Sequence, residues 1–355
     1  MEWLSVREVH ISGGIRVFSY DRSCNYLYPG DMTGEKTAIE IQKYSSLFSD
    51  IRSLGLEVVG CDFFTGSRSE ARPEWRSKPS SGLGWLTWEQ GRDWSFIANG
   101  AFRAGDSKLY DIATRISHQL RSCEWRVRQL SESYMDQLNG KLKSGDFKAD
   151  QRFLDGYTEL CYLAVQTFLV DACALRDYLV EFYWYVKSTG EVSITSIGSL
   201  LRYWKKTPPL DPHGVKIQEI SSSGGWLDIL GSYRNLIIHA APLATAGATL
   251  YAVAGAVKLS NSEYLPFVKL PLPSDPERLK EERNSGRYFD DPALRRARFH
   301  NIIESAEALS APDSLTYASS CLEKLSAWAA SLAELSPVEV EVPVIVPIAG
   351  SFKII

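Results

Sequence analysis

Arg234, Asn235 and His239 place a permanent cation, an amide and a group that titrates near neutral pH within six residues of an otherwise apolar stretch. The forked guanidinium of arginine binds phosphate oxygens, and histidine takes up or releases a proton near pH 7. On a helix, Asn235 and His239 share one face because they are four residues apart, and Arg234 lies at its edge. Together these side chains could hold a phosphate and transfer protons at it.

The stretch Trp226–His239 is predicted to form the helix that positions these side chains. The loop Ser221–Gly225 leads into it, and Pro242 closes it soon afterwards. Arg295 and His300 repeat the same arginine-to-histidine spacing further along the chain. We prefer the first copy because it has an asparagine in second place, an apolar Leu-Ile-Ile body and a loop at its start.

The residues Arg234-Asn235-x-x-x-His239, with Tyr233 before them, resemble the Arg-polar-x-x-x-His motif of the HEPN superfamily of ribonucleases. The resemblance covers the motif and its helix rather than the whole chain. It implies a helical bundle that forms a homodimer and a metal-independent endoribonuclease site built from two motifs. It also implies a toxin or an antiviral (anti-phage) defence effector that is held inactive until triggered.

RNA carries its own nucleophile, the 2′-hydroxyl, so cleavage needs proton transfer and positive charge rather than a metal or another cofactor. In this hypothesis His239 transfers protons, Arg234 binds the phosphate, and Asn235 orients His239 or the phosphate. Because one motif supplies one histidine, a mechanism with two histidines requires a two-fold homodimer with paired motif helices. RNA is the expected substrate.

Other polar residues are predicted to support this site. A long helix is predicted over residues 151–187, and it is apolar almost all round. Charged residues on such a helix need partners. Arg176 and Asp177 could therefore face the motif helix and orient Arg234 or His239, or form a structural ion pair. The candidate RNA contacts outside the motif are Arg202, Lys205 and Lys206.

Composition limits the classes of function. The formal net charge is −4, so any RNA contact must rest on local patches rather than on a global basic field. None of the six cysteines forms a C-x-x-C pair, which leaves zinc and redox motifs unsupported. The first residues lack a basic stretch followed by an apolar core, so we expect no signal peptide and a cytoplasmic protein without a membrane partner.

The pattern predicts a mainly α-helical α+β fold, a HEPN-like helical bundle with an inserted β-hairpin and a smaller α/β module at the N-terminus. The strongest signal is a three-to-four-residue apolar repeat over residues 106–138. The predicted divisions are an N-terminal sensing or docking module at 1–105, a HEPN-like helical domain at 106–337 with a hairpin inserted at about 248–272, and a β-prone tail at 338–355.

Several local elements are also predicted. A Gly-Gly turn near residue 13 indicates a hairpin. The remaining predictions are a helix at 36–54, an irregular tryptophan-rich stretch at 65–105, a short helix at 192–205, a proline-enforced loop from 208, and helices at 291–309 and from Pro312.

A second reading belongs to a different class. The chain could be a catalytically inactive HEPN-like subunit that binds other proteins, because the β-prone tail, the hairpin and the N-terminal module all suit a scaffold or a regulatory partner. Serine-hydrolase and P-loop chemistry lack support, since neither Gly-x-Ser-x-Gly nor Gly-x-x-x-x-Gly-Lys-Ser/Thr occurs.

Overall fold

The computed structural model describes residues 6–19, 25–29, 40–41, 47–64, 74–78, 85–188, 192–240, 251–259, 262–277, 280–281 and 311–339. Within them the protein has a mainly helical α+β fold with eight α-helices and two antiparallel sheets, which confirms the predicted class. The helices are α1 (Leu47–Ser53), α2 (Leu86–Ala104), α3 (Ser107–Lys143), α4 (Gly156–Lys187), α5 (Ile197–Trp204), α6 (Pro212–Ile220), α7 (Trp226–Asn235) and α8 (Ser314–Ala333). The strands are β1 (Val6–Ile11), β2 (Ile15–Ser19), β3 (Asn25–Pro29), β4 (Glu40–Ile41), β5 (Val58–Phe64), β6 (Glu74–Ser77), β7 (Arg152–Phe153), β8 (Ala252–Lys258) and β9 (Tyr264–Lys269).

Two long helices, α3 and α4, form the centre of the fold, as their apolar repeats predict. Their N-termini are capped by side chains: Asp106 accepts a hydrogen bond from the backbone N of Leu109 at 2.9 Å. Asp155 and Thr158 form a capping box at the start of α4. Helices α2 and α8 pack against this pair.

Helix α4 is the most apolar of the long helices. By length and composition alone it could cross a membrane, yet 56% of its most apolar window is buried inside the fold. Its buried side packs against α3, α7 and α8. A buried core helix can have the same length and the same apolar composition as a membrane-spanning helix.

The N-terminal sheet has the strand order β4-β3-β2-β1-β5-β6. Strands β1 and β2 pair as the predicted Gly-Gly hairpin, and Gly13 and Gly14 have φ angles of 78° and 83°. A Cβ on Gly14 would lie 2.5 Å from the backbone oxygen of Tyr134 in α3. The tip of the hairpin can therefore contact α3 closely only because a glycine stands there.

The inserted hairpin is β8 paired with β9, between α7 and α8, and β7 adds a third strand in the order β7-β8-β9. Strand β9 is at the edge of this sheet and contains Pro266, which agrees with the predicted edge position. A hairpin therefore forms within the region predicted to contain one, from Ala252 to Lys269.

The prediction of an irregular stretch over 65–105 is wrong for its second half, where α2 forms. The glycines and tryptophans of α2 are weak helix formers, but packing against α3 overrides local propensity. Ser117 of α3 donates a hydrogen bond to the backbone oxygen of Gly91 at 2.6 Å. Such close contact favours a glycine at this point of the helix.

Two other local predictions are partly wrong. The helix predicted over 36–54 is described only as α1, because Ile41 pairs with Asn25 in strand β4 instead. The loop predicted from residue 208 ends at Asp211, which caps α6 by accepting from the backbone N of Gly214 at 3.2 Å. Pro212 is the first residue of that helix, a position at which proline favours helix formation.

Some predictions fall outside the described residues. These are the helix at 291–309, the second pair Arg295 and His300, and the tail beyond Glu339. The beginning of the tail lies against α2, because a Cβ on Gly100 would be 2.6 Å from the backbone oxygen of Glu339. Helix α2, which the predicted boundary at residue 105 assigns to the N-terminal module, packs along α3.

Glu124 connects β6 to α3. Its Oε1 accepts from the backbone N and the hydroxyl of Ser77 at 2.9 and 3.0 Å, and its backbone oxygen accepts from Trp75 Nε1 at 2.8 Å. Burial raises the pKa of Glu124 to about 7, although the hydrogen bonds from Ser77 act in the opposite direction.

We expect Glu124→Gln to change how stability depends on pH. The folded-state pKa lies above the ordinary 4.5, so the carboxyl favours folding when protonated, and this contribution is lost as the pH rises from about 4.5 to about 7. Across that window the free energy of unfolding of the wild type should fall by on the order of 3 kcal/mol relative to that of the variant. Urea unfolding at several pH values measures it, with the exposed Glu219→Gln as control. If the difference in unfolding free energy between wild type and variant stays constant with pH, the pKa of Glu124 is not raised in the folded protein.

Candidate active site

Helix α7 carries the Arg-Asn-x-x-x-His motif. Its buried residues Leu227, Leu230 and Tyr233 recur every third position, and Leu236 continues the series after the helix ends. This apolar face packs α7 against α4. After Asn235 the backbone widens into a π-helical turn, Leu236–Ala240. Such turns are rare and occur often at functional sites.

Arg234 and Asn235 lie together at the half-exposed end of α7. Arg234 Nη1 donates a hydrogen bond to Asn235 Oδ1 at 3.2 Å. Because Arg234 is in the last turn, its charge is also favoured by the partial negative charge of the helix C-terminus. The structure therefore brings two of the three predicted catalytic side chains into direct contact at the protein surface.

The backbone of His239 lies in the π-helical turn, one turn beyond Asn235. Its side chain falls outside the part of the protein that the structure describes. The neighbouring Ile238 is exposed. His239 therefore directly follows a residue that reaches solvent.

Tyr233 is buried rather than available to a substrate. Its hydroxyl donates to the backbone oxygen of Pro273 at 2.7 Å, and its ring packs against Tyr317 with centroids 5.1 Å apart. Burial, together with the charge of Asp275, raises the pKa of Tyr233 to about 12. We assign it to anchoring α7.

Arg176 lies against α7. A Cβ on Gly231 would be 3.2 Å from Arg176 Nη1, so the guanidinium lies on the motif helix one turn before Arg234. Arg176 Nε donates to Asp177 Oδ1 at 3.0 Å. Asp177 Oδ1 also accepts from the backbone N of Ile197 at 3.2 Å, at the start of α5. This ion pair places the Arg176 guanidinium beside α7 and links α7, α4 and α5.

The three candidate RNA-contact residues lie at the opposite end of α5. Arg202, Lys205 and Lys206 are all exposed, and Arg202 Nε donates to the backbone oxygen of Gly198 at 3.2 Å. Lys205 is eight residues beyond Ile197, which is about 12 Å along a helix axis. These cations are therefore separate from the motif.

The structure also shows a buried polar layer between the N-terminal sheet and α3, which the sequence does not predict. His10 Nε2 donates to Asp62 Oδ2 at 3.2 Å, and His10 Nδ1 lies 3.2 Å from Ser131 Oγ. Arg128 Nη2 donates to Asp62 at 2.7 Å. Arg16 Nε lies 3.3 Å from Glu8. We call these six residues the buried polar layer.

Charge and burial set the protonation of this layer. Burial and then the charge of Arg16 lower the pKa of His10 to about 4. Burial alone would raise the pKa of Asp62, but hydrogen bonds from His10 and Arg128 outweigh it and lower the pKa to about 2. At neutral pH the layer holds a neutral imidazole beside an ionised carboxylate.

Two catalytic readings of the layer fail on its geometry. Ser131, His10 and Asp62 have the order of a nucleophile, a base and an acid, but all three are 0% exposed, so no substrate can reach them. Glu8, His10 and Asp62 also lie close enough together to hold a metal ion. However, arginines already pair with both carboxylates, and a cation would have to displace them. The layer is therefore structural.

No protein-family model matches the chain, and no curated protein or solved structure is significantly similar to it.

Proposed function

We propose that the protein is a metal-independent HEPN-type endoribonuclease that cleaves RNA at a composite site in a homodimer. The observation that carries the proposal is the contact between Arg234 and Asn235 at the half-exposed end of α7, immediately before the turn that contains His239. In this arrangement Arg234 neutralises the phosphate, His239 transfers the proton, and Asn235 fixes their orientation. A cytoplasmic toxin or anti-phage defence effector fits this chemistry.

Arg176 of α4 places a second guanidinium against α7, one turn before Arg234. Its neighbour Asp177 accepts hydrogen bonds from Arg176 and from the backbone N of Ile197. Arg176, Asp177 and Arg234 together carry one net positive charge, although the whole chain is acidic. Arg176 is a positioning residue in this proposal.

An exposed apolar surface beside the motif supports a homodimer. The hydroxyls of Tyr162 in α4 and Tyr233 in α7 donate to the backbone oxygens of Pro271 and Pro273, so the end of α7 lies beside the first half of α4. There the exposed apolar side chains, which are 44–55% exposed, are Leu160, Leu163, Val170 and Ile238. Burying this surface between two copies would bring two motif helices together.

The direct test is incubation of the purified protein with RNA, followed by denaturing gel electrophoresis. We expect cleavage in the presence of EDTA and products that end in 2′,3′-cyclic phosphate, because the 2′-hydroxyl is the nucleophile. A strict need for a divalent metal, or products with 3′-hydroxyl ends, would contradict the mechanism. A stable homodimer that cleaves no RNA would favour the inactive scaffold instead.

A further inference from the structure

A cleft of about 610 Å³ lies on the outer side of α3, away from the motif. Its lining combines an aromatic ring with cations and amides. The residues that matter here are His118, Arg121, Trp125, Arg126, Gln129 and Asp171. We propose that this surface, the α3 cleft, binds single-stranded RNA by stacking a base on Trp125 and contacting phosphates through Arg121 and Arg126.

Trp125 is the residue that points to a base. Its side chain is 47% exposed in the middle of a 37-residue helix whose other face forms the core. The guanidinium of Arg128 lies 5.6 Å from its ring centroid, and Arg128 is itself held by Asp62. Arg128 therefore packs against the ring, while nearly half of the Trp125 surface stays exposed to solvent. Exposed aromatic rings of this kind stack unpaired bases.

The two cations of the cleft differ in how they are held. Arg126 donates to Asp171 at 2.8 Å and to Gln129 at 3.0 Å, which fixes its position but neutralises part of its charge. Arg121 donates to the backbone oxygen of Gly91 at 3.4 Å and is in no ion pair among the described residues. Arg121 therefore offers the charge for a phosphate, one helical turn from Trp125.

A stacking ring beside a cation matches a nucleotide, and the open ring matches an unpaired one. In a duplex the base faces are already stacked, so a side chain cannot replace that contact without opening the helix. Amide groups such as Gln129 add hydrogen bonds without selecting one base. The α3 cleft therefore suits single-stranded RNA with little preference for sequence.

The cleft and the motif lie on either side of the exposed stripe of α4. Successive residues of a helix turn by about 100°, so Asp171, which faces the cleft, and Cys173, which faces α7, stand on different sides of α4. Val170 is exposed between them. A helix is about 10 Å across with its side chains, so the cleft and the motif are separated by about one helix diameter. This role as a substrate-binding surface rests on the proposed nuclease function.

The test measures binding without cleavage, in a His239→Ala background. Fluorescence anisotropy with a labelled, unstructured RNA of about 12 nucleotides should show Trp125→Ala weakening binding by about 10-fold, and Trp125→Phe keeping most of the affinity. Arg121→Gln should lower the slope of log Kd against log salt by about 0.7. The matched controls are Phe102→Ala, an aromatic ring that is 72% exposed elsewhere, and Lys216→Gln, an exposed cation.

Unchanged affinity in both cleft variants, or equal loss in the controls, would overturn the proposal. The proposal would also be overturned if duplex RNA bound with the same affinity as single-stranded RNA and lost that affinity in Trp125→Ala. Cleavage by the protein with His239 intact is scored separately. If the cleft variants lose RNA and no version of the protein cleaves it, the nuclease proposal fails while the binding surface stands.

Discussion

Replacing His239 by alanine is expected to reduce RNA cleavage by about 100-fold to 10,000-fold, the range that a lost acid–base group produces. Arg234→Ala should cost about 100-fold or more, because it removes the charge that stabilises the phosphorane. Arg234→Lys should recover only part of the activity, since lysine lacks the forked geometry. Initial rates on denaturing gels measure all three.

The controls must separate chemistry from folding. His213→Ala changes a histidine that contacts Ser331 on a different helix, and Arg52→Ala changes an arginine in α1. Both should cleave at the wild-type rate. Thermal unfolding and size-exclusion chromatography should show that the motif variants remain folded and dimeric. If His239→Ala and Arg234→Ala, folded and dimeric, cleave as fast as the wild type, the motif is not the active site.

A mixing experiment tests whether the site is shared between two chains. Wild type that has exchanged subunits with an about ninefold excess of His239→Ala should retain roughly 10% of its own activity, because only about one tenth of its chains pair with a second wild-type chain. Independent sites would leave the activity of the wild type at roughly 100%. The outcome distinguishes a composite site from one that each chain completes alone.

The sequence predicts the long helices well because their burial follows directly from periodicity. In α3 the residues Leu109, Ile112, Ile116 and Leu120 are all fully buried, at the spacing that the pattern indicates. Local sequence does not predict helix α2, because its stability comes from contact with α3. The contact at Gly91 exists only after the two helices meet.

The polar residues were harder to predict, for a different reason. In β1, Glu8 and His10 alternate with Val9 and Ile11, which is the pattern of a strand with one face in solvent. Instead the polar face is covered by α3, and Arg16 stands directly opposite His10 in β2. Periodicity separates two faces of a strand, but only the tertiary structure decides whether the polar face is covered.

The candidate active site likewise depends on the tertiary structure and on a second chain. Local sequence places Arg234 and Asn235 together because they are adjacent at one helix end, and the structure shows their contact. The approach of Arg176 from α4 needs the tertiary fold. A second His239 needs another chain, and its position depends on an interface that no single chain contains.

Asp62→Ala is expected to lower the free energy of unfolding by about 3–5 kcal/mol, the cost of breaking a buried ion pair from one side. Asp62 is 0% exposed and accepts hydrogen bonds from His10 and Arg128. Without it, the remaining carboxylate in an ion pair with Arg128 among the described residues is the partly exposed Glu132, at 3.4 Å. Because typical domains are stable by about 5–15 kcal/mol, this loss threatens the fold. Urea denaturation followed by circular dichroism measures it.

Asp111→Ala is the matched control, since that carboxylate is 65% exposed and pairs with Arg115 at the surface. Its removal should change stability by at most about 1 kcal/mol. Equal, small effects of both substitutions would show that the buried polar layer does not connect the sheet to α3.

The pH dependence of Asp62→Asn separates charge from shape in the same layer. Asparagine keeps an acceptor of similar size but cannot ionise. The folded-state pKa of Asp62 is about 2, below its ordinary 3.8, so the carboxylate stabilises the fold above about pH 4, and this contribution is lost as the pH falls towards 2. The advantage of the wild type over Asp62→Asn should therefore be about 2 kcal/mol near neutral pH and disappear in acid. An advantage that persists at pH values of about 2 would mean that packing of the side chain, rather than its charge, holds β5 to α3.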